Sequence, residues 1–252
     1  MKIITKVKVL RRFGLFNFAR DIYCRFTQDN SKLSALYGQF ITKDCLCFDI
    51  GANIGQKTDI FLALGARVVA VEPQEDCVDY LLKKYKNNPR VTVVPKVIAE
   101  RSVEKEFFVC DANALSTTSQ EWIAAQTKSG RFGEFSRDKK TVVPATTLAD
   151  LIRQHGTPVF CKIDVEGGEL NVIRGLDQRI PAIALEIPEE GLELTEEFIR
   201  HFKTLGTPSF NYCCWDSYEF MFRDWVQSER ILEELRSLPT AKMTEDLYVR
   251  LR

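Results

Sequence analysis

The chain has 252 residues, 45% of them hydrophobic, and its 35 lysines and arginines balance 35 aspartates and glutamates. That length buries a substantial core and is most economically one domain with a short appendage, while a formal charge of zero supplies no global field to select nucleic acid or an acidic surface. No apolar run approaches the roughly 20 residues needed to span a bilayer, so a soluble or peripheral protein is expected.

Residues 1–40 are basic and amphipathic. Lys2, Lys6, Lys8, Arg11, Arg12, Arg20 and Arg25 are interleaved with Val7, Leu10, Leu15, Phe16, Phe18, Ile22 and Phe26. The segment reads as a helical cap on a main domain of residues 41–252. The face formed by residues 1–26 would also suit peripheral contact with an anionic membrane. A secretory leader is not expected, because there is no continuous apolar core or small-residue cleavage pattern. None of the eight cysteines shows C-x-x-C spacing. Standing in apolar or helical contexts, they read as small buried thiols of a reducing compartment, and the cytoplasm is the expected location.

Cys45 to Thr58 carries the densest information: an apolar strand, then Asp49-Ile50-Gly51-Ala52-Asn53-Ile54-Gly55, then a helix containing Thr58. Glycine at 51 is expected to let the backbone approach a ligand, and glycine at 55 to let the next helix pack tightly on its strand. After a second strand, Arg67–Val71, Glu72 and Pro73 follow. An acid at that spacing can accept hydrogen bonds from both hydroxyls of a ribose. A dinucleotide site would want a middle glycine to admit a pyrophosphate. Ala52 and Asn53 stand there instead, which disfavours a nicotinamide-dependent oxidoreductase. The D-x-G-A-N-x-G run is similar to motif I of class I S-adenosylmethionine-dependent methyltransferases. The resemblance implies cofactor contacts at Asp49, Gly51, Ala52, Asn53, Gly55, Thr58, Glu72, Pro73 and Asp164.

Further along, short β-rich runs alternate with helical periodicity, as a parallel α/β sheet requires. Strands are expected at 45–50, 67–71, 91–94, 105–109, 159–164 and 182–187, each contributing to one doubly wound sheet. Helices are expected near 56–64, 75–86, 146–154, 168–174 and 192–204. Residues 209–212 and 246–251 should form an antiparallel pair closing the sheet's edge. The polar segment 111–140 reads as an inserted lid, with Asn113, Ser116, Trp122 and Arg131 as candidate contacts to an acceptor.

The second chemical cluster is Lys162-Ile163-Asp164-Val165-Glu166-Gly167-Gly168-Glu169. Lys162, Asp164 and Glu166 would alternate along one face of an extended chain, at the strand end where α/β folds bind ligands. Glu169 reads as a helix-dipole residue. His155 and His201 read as solvated or packed.

Taken together, Phe48–Gly55, Val71-Glu72-Pro73, Thr147-Leu148, Lys162–Gly167 and Leu185-Glu186-Ile187 resemble the FkbM family of methyltransferases over roughly residues 45–190. The resemblance implies a class I methyltransferase fold, that is, a doubly wound, mostly parallel, Rossmann-like α/β sheet with an antiparallel C-terminal edge. It also implies S-adenosylmethionine as cofactor and O-methylation of a sugar, glycan or polyol hydroxyl. Such a hydroxyl needs a base within hydrogen-bond reach. Asp164 is the first candidate, then Glu166, then Glu186. A resident metal is not expected, although Asp164 and Glu186 could clamp a divalent ion. The alternative from a different class is an inert methyltransferase-fold binding protein, which would be expected to lose Glu72 and the glycines. The expected partner is a small-molecule, saccharide or glycolipid acceptor. Nucleic acid is disfavoured by the absence of a D/N-P-P-Y block.

Overall fold

A computed structural model describes residues 30–110, 115–129, 139–187, 192–214, 218–238 and 245–252. The basic segment 1–29, Asn113 and Arg131 lie outside these residues. From α1 (Asn30–Tyr37) the chain runs through β1 (Leu46–Ile50), α2 (Gln56–Ala63), β2 (Arg67–Val71), α3 (Glu75–Lys84) and β3 (Val91–Val94). Next come β4 (Val97–Ile98), β5 (Lys105–Val109), α4 (Gln120–Ser129), β6 (Lys139–Val143), β7 (Ala145–Thr146) and α5 (Leu148–His155). The remainder is β8 (Phe160–Ile163), α6 (Glu169–Arg174), β9 (Ala182–Glu186), α7 (Leu192–Leu205), β10 (Pro208–Cys214), α8 (Ser228–Ser237) and β11 (Glu245–Leu251).

Seven strands form the central sheet in the order β10-β11-β9-β8-β1-β2-β3. The five from β3 to β9 run parallel, while β11 lies antiparallel on β9 and β10 antiparallel on β11. This is the doubly wound sheet and antiparallel edge that the sequence leads one to expect. All five residues of β1 are buried, because helices cover both faces of a parallel sheet and its strands become continuous apolar runs. On one face Phe48, Ile50, Cys161 and Ile163 pack with side chains of α5, α6, α7 and α8. On the other, Cys47, Val68 and Phe160 pack with side chains of α1 and α2. Tyr37 of α1 meets Phe61 edge-on at 5.2 Å, a geometry worth roughly 0.5–1.5 kcal/mol beyond area burial. Residues 30–37 are therefore packed into the main body.

One expected strand sits elsewhere. β5 forms at 105–109 but pairs antiparallel with β6 in a separate two-stranded sheet. Its residues show why: Glu106 is exposed while Phe107 is buried, the half-buried alternation of an antiparallel ribbon and not the apolar run of a central parallel strand. The polar segment expected as a lid loop also contains structure. Thr117 bridges Phe108 antiparallel, and residues 120–129 form α4. Thr147 caps α5, its side chain accepting from the Asp150 N–H, which satisfies one of the orphan donors of the first turn.

Candidate active site

The chain leaves β1 toward β2 and β3 on one side, while β8 and β9 lie on the other. The carboxyl ends of β1 and β8 therefore diverge at a topological switch point, where α/β sheets open a crevice. Gly51 closes β1 with φ 83°; its N–H and that of Ala52 both donate to the Val71 carbonyl at 2.9 Å. A Cβ at 51 would overlap the Asp164 carbonyl. Glycine is needed there because the chain leaving β8 lies against it, and Gly51 also lines the cavity beside Asn53 and Glu72. At Gly55 a Cβ would overlap the Tyr85 hydroxyl, so this glycine admits the end of α3 and not the strand beneath α2.

Glu72 is buried, and backbone donors fix both of its oxygens. The N–H of Asn53, a residue in left-handed backbone at φ 51°, donates to Oε2 at 2.8 Å, and the N–H of Gln74 donates to Oε1 at 2.8 Å. Held by the backbone in this way, the carboxylate lies on the cavity wall with two oxygens spaced to match the vicinal diol of a ribose. Asn53, Glu72 and Pro73 line a cavity of about 560 Å³, counting its open mouth, together with Val97, Ile98 and Phe107. An acid for the ribose and an apolar slot for a purine fit S-adenosylmethionine.

Four of the expected cofactor contacts, Asp49, Ala52, Gly55 and Thr58, do not line that wall. Asp49 is buried, with Oδ2 accepting from the Thr58 hydroxyl at 2.5 Å. Burial raises its proton affinity against the opposing pull of that bond. The pair braces β1 against α2. Ala52 packs with Ala70, Leu81 and Tyr85. These positions build the turn that presents Asn53 and Glu72, and act through it.

The acidic corner lies across the cavity. β8 ends at Ile163, and Glu166 and Gly167 are left-handed, with φ 55° and 86°. The expected extended alternation of Lys162, Asp164 and Glu166 is broken by this turn. Asp164 and Glu166 line the cavity, and Glu186 stands with them, one oxygen of each of the three lying within 4.8 Å of the others. A divalent cation could span that distance. Lys57 approaches Asp164 to 3.7 Å. Lys162 is buried and bonds Asp246 at 2.8 Å; burial opposes its charge, but Asp246 and Asp164 outweigh burial and hold its proton more firmly than usual. Lys162 thus neutralises charge beneath the site.

Burial, then Glu186 and Asp164, push the Glu166 carboxyl well above its usual range. Burial, then Asp164 and Glu169, push Glu186 up to about 8. Glu186 therefore destabilises the folded state increasingly as pH rises from the ordinary carboxylate range through 8, because the native protein binds a proton that the unfolded chain has released. Glu186→Gln is expected to stabilise the protein by about 1–3 kcal/mol at pH 9 and by much less at pH 5. Thermal unfolding of both proteins at the two pH values checks the sign, and an equal gain at both would refute it.

The inserted segment supplies Ser116 and Thr118 to the cavity wall, and the Ser116 Oγ accepts from the Cys110 N–H at 2.9 Å. Trp122 does not line the cavity. It is buried with Cys110 and Leu115, against Gly167, so the structure gives this candidate acceptor contact a packing position. Sequence reasoning missed Lys57, Phe107 and the stretch Lys96–Ile98. The last could have been found from its position just after a parallel strand's carboxyl end. His201 bonds the Leu176 carbonyl at 2.9 Å and is not on the cavity wall.

The chain is similar to several solved structures. Precorrin-6y C5,15-methyltransferase from Geobacter metallireducens is 12% identical with a TM-score of 0.44, covering 90% of this chain and 89% of that one. A TehB-like S-adenosylmethionine-dependent methyltransferase from Corynebacterium glutamicum is 10% identical at 0.45, covering 94% and 97%. A Streptococcus mutans protein solved in complex with SAH is 11% identical at 0.38, covering 86% and 95%. No curated sequence matches this chain. The family profile described as the methyltransferase FkbM domain matches residues 49–237, a span that holds both the Glu72 turn and the acidic corner. The chain belongs to the FkbM methyltransferase family, and its cofactor is S-adenosylmethionine.

Proposed function

We propose that this methyltransferase O-methylates a hydroxyl of a saccharide or related polyol, free or lipid-linked, with Glu166 as the group that takes the hydroxyl proton. The observation that carries the reading is a carboxylate of raised proton affinity on the cavity wall, Glu166, backed by Glu186. An alcohol is a weak nucleophile until its proton has a destination, and a base works best when its pKa lies near the working pH. Asp164, the first candidate from sequence, shares the wall but is engaged by Lys57. It is the better orienting group.

When bound, S-adenosylmethionine supplies a methyl group activated by its sulfonium. Glu72, oriented by the N–H groups of Asn53 and Gln74, holds the ribose end. Glu166 accepts the acceptor's proton and shares it with Glu186, which lowers by one the negative charge of the buried corner as the sulfonium's positive charge is lost. The hydroxyls of Ser116 and Thr118 offer hydrogen-bonding groups that a sugar can meet. The 111–140 insertion is read as the acceptor side of the site. No described helix is long and apolar enough to cross a membrane, and the cytoplasm, with or without contact at the membrane surface, suits such an acceptor.

Incubation with methyl-labelled S-adenosylmethionine and a panel of saccharides, glycolipids and polyol natural products tests this. A stable methyl ether is expected, whereas label appearing only on nitrogen or as a base-labile ester would refute the acceptor class. EDTA is expected to leave turnover within about twofold of the untreated enzyme, because protons and two lysines already offset the carboxylates. Loss of activity that magnesium restores would place a cation between Asp164, Glu166 and Glu186.

A further inference from the structure

The turn carrying Glu166 is held by a segment outside the central sheet. Left-handed backbone costs free energy at a residue with a side chain, and it persists only where the surroundings over-determine it. Here they do so from two sides. The Thr117 hydroxyl donates to the Glu166 carbonyl at 2.7 Å. A Cβ on the next residue, Gly167, would stand 2.5 Å from the Cβ of Trp122 and 2.7 Å from its Cγ, so that side chain lies directly against the turn's backbone. From the opposite side, the Glu169 carboxylate accepts from the Val165 N–H at 3.0 Å.

Thr117 is itself anchored. It exchanges two backbone hydrogen bonds with Phe108 of β5, at 2.8 and 3.1 Å, and its Oγ1 also accepts from the Ser119 N–H at 2.8 Å. Ser119 Oγ in turn accepts from the Trp122 N–H at 3.1 Å. One hydrogen-bonded chain thus runs from the side sheet through Thr117 to the carbonyl of Glu166, and its branch fixes the start of α4 so that Trp122 covers Gly167. The hydroxyl is the only link in this chain that a single conservative substitution removes while keeping side-chain volume.

We propose that Thr117 is a positioning residue for methyl transfer: with Trp122 it clamps the turn 164–168 so that the Glu166 carboxylate is presented to the cavity. The inserted segment would then belong to the catalytic apparatus as well as to the acceptor's side of the site. This rests on the reading of Glu166 as proton acceptor, and its test is separable from that reading.

Hydrogen exchange of the full-length protein, followed in peptides spanning residues 164–170 and the β1 strand, tests the clamp without cofactor or acceptor. Thr117→Val is expected to accelerate exchange in the turn on the order of 10-fold and to leave β1 unchanged, while Thr117→Ser, which keeps the hydroxyl, retains wild-type exchange. Unchanged exchange in Thr117→Val overturns the clamp. So does equal acceleration in the serine variant, or acceleration of β1 by the same factor, which would report general loosening. With an acceptor from the labelling screen, kcat of Thr117→Val should fall about 10-fold with unchanged affinity for S-adenosylhomocysteine, and serine should restore it. A loosened turn with undiminished kcat would refute the positioning role. A screen that finds no acceptor counts against the function, and the exchange experiment still decides the clamp.

Discussion

Glu166→Gln is expected to lower kcat on the order of 100-fold while affinity for S-adenosylhomocysteine stays within about twofold. General-base catalysis contributes roughly 10²–10⁴-fold, and the amide preserves the shape of the side chain while losing its capacity to take a proton. The wild-type pH profile should agree. Glu166 and Glu186 are both held above the usual carboxylate range, Glu186 up to about 8, so the ionised form of the pair grows as pH rises. Turnover is expected to climb through neutrality and level off above about 8, where the pair has lost its shared proton. In Glu186→Gln the rise should move to lower pH, because the neutral amide no longer repels charge on Glu166. Steady-state rates between pH 6 and 10 check this. A flat wild-type profile, or a Glu166→Gln enzyme with near-native kcat, would return the role to Asp164.

Glu72→Ala should weaken binding of S-adenosylmethionine and S-adenosylhomocysteine by roughly 1–3 kcal/mol, or about 10- to 100-fold, as measured by calorimetry. Two losses combine in that figure. The ribose loses a charged acceptor, and the N–H groups of Asn53 and Gln74, each 2.8 Å from a Glu72 oxygen, lose the partner that sets the turn. Glu72→Gln keeps the volume but removes the charge and turns an amide NH₂ toward one backbone donor, so both losses persist and its cost should approach that of alanine. Wild-type affinity in Glu72→Ala would remove Glu72 from the cofactor site altogether.

The packing of the insertion also changes what can be learned by deletion. From the sequence, deleting residues 113–133 across a short glycine linker is expected to abolish methylation while leaving S-adenosylmethionine binding nearly intact. In the structure, Ser116 and Thr118 form part of the wall shared with Glu72, and Trp122 lies on Gly167. Single-residue changes at Thr117 or Ser116 are the informative ones, since removing the segment would expose the acidic turn and the cofactor cavity together.

Much of this was legible in the residues themselves. Apolar runs such as Arg67–Val71 and Ala182–Glu186 name parallel strands because helices cover both faces of such a sheet. The glycine-spaced turn after Phe48, and the acid at Glu72, follow from backbone conformations that only certain residues adopt comfortably. Thr147 announced its helix by the same logic of local capping. These signals act over a few residues, so spacing alone transmits them. The order of the seven strands and the switch point between β1 and β8 belong to the folded sheet. The tertiary structure decided what each side chain meets. That Gly51 answers to the Asp164 carbonyl, that Asp49 turns to Thr58 and not to the cavity, and that β5 leaves the main sheet for β6 all depend on contacts between distant parts of the chain. Glu166 and Glu186 become partners in one buried corner only because two neighbouring parallel strands end beside each other and the chain after β8 adopts left-handed backbone at Glu166 and Gly167. Residue spacing encodes the backbone's local geometry, but proton affinity depends on burial and on charges brought close by the fold, and these the sequence of the segment alone does not contain.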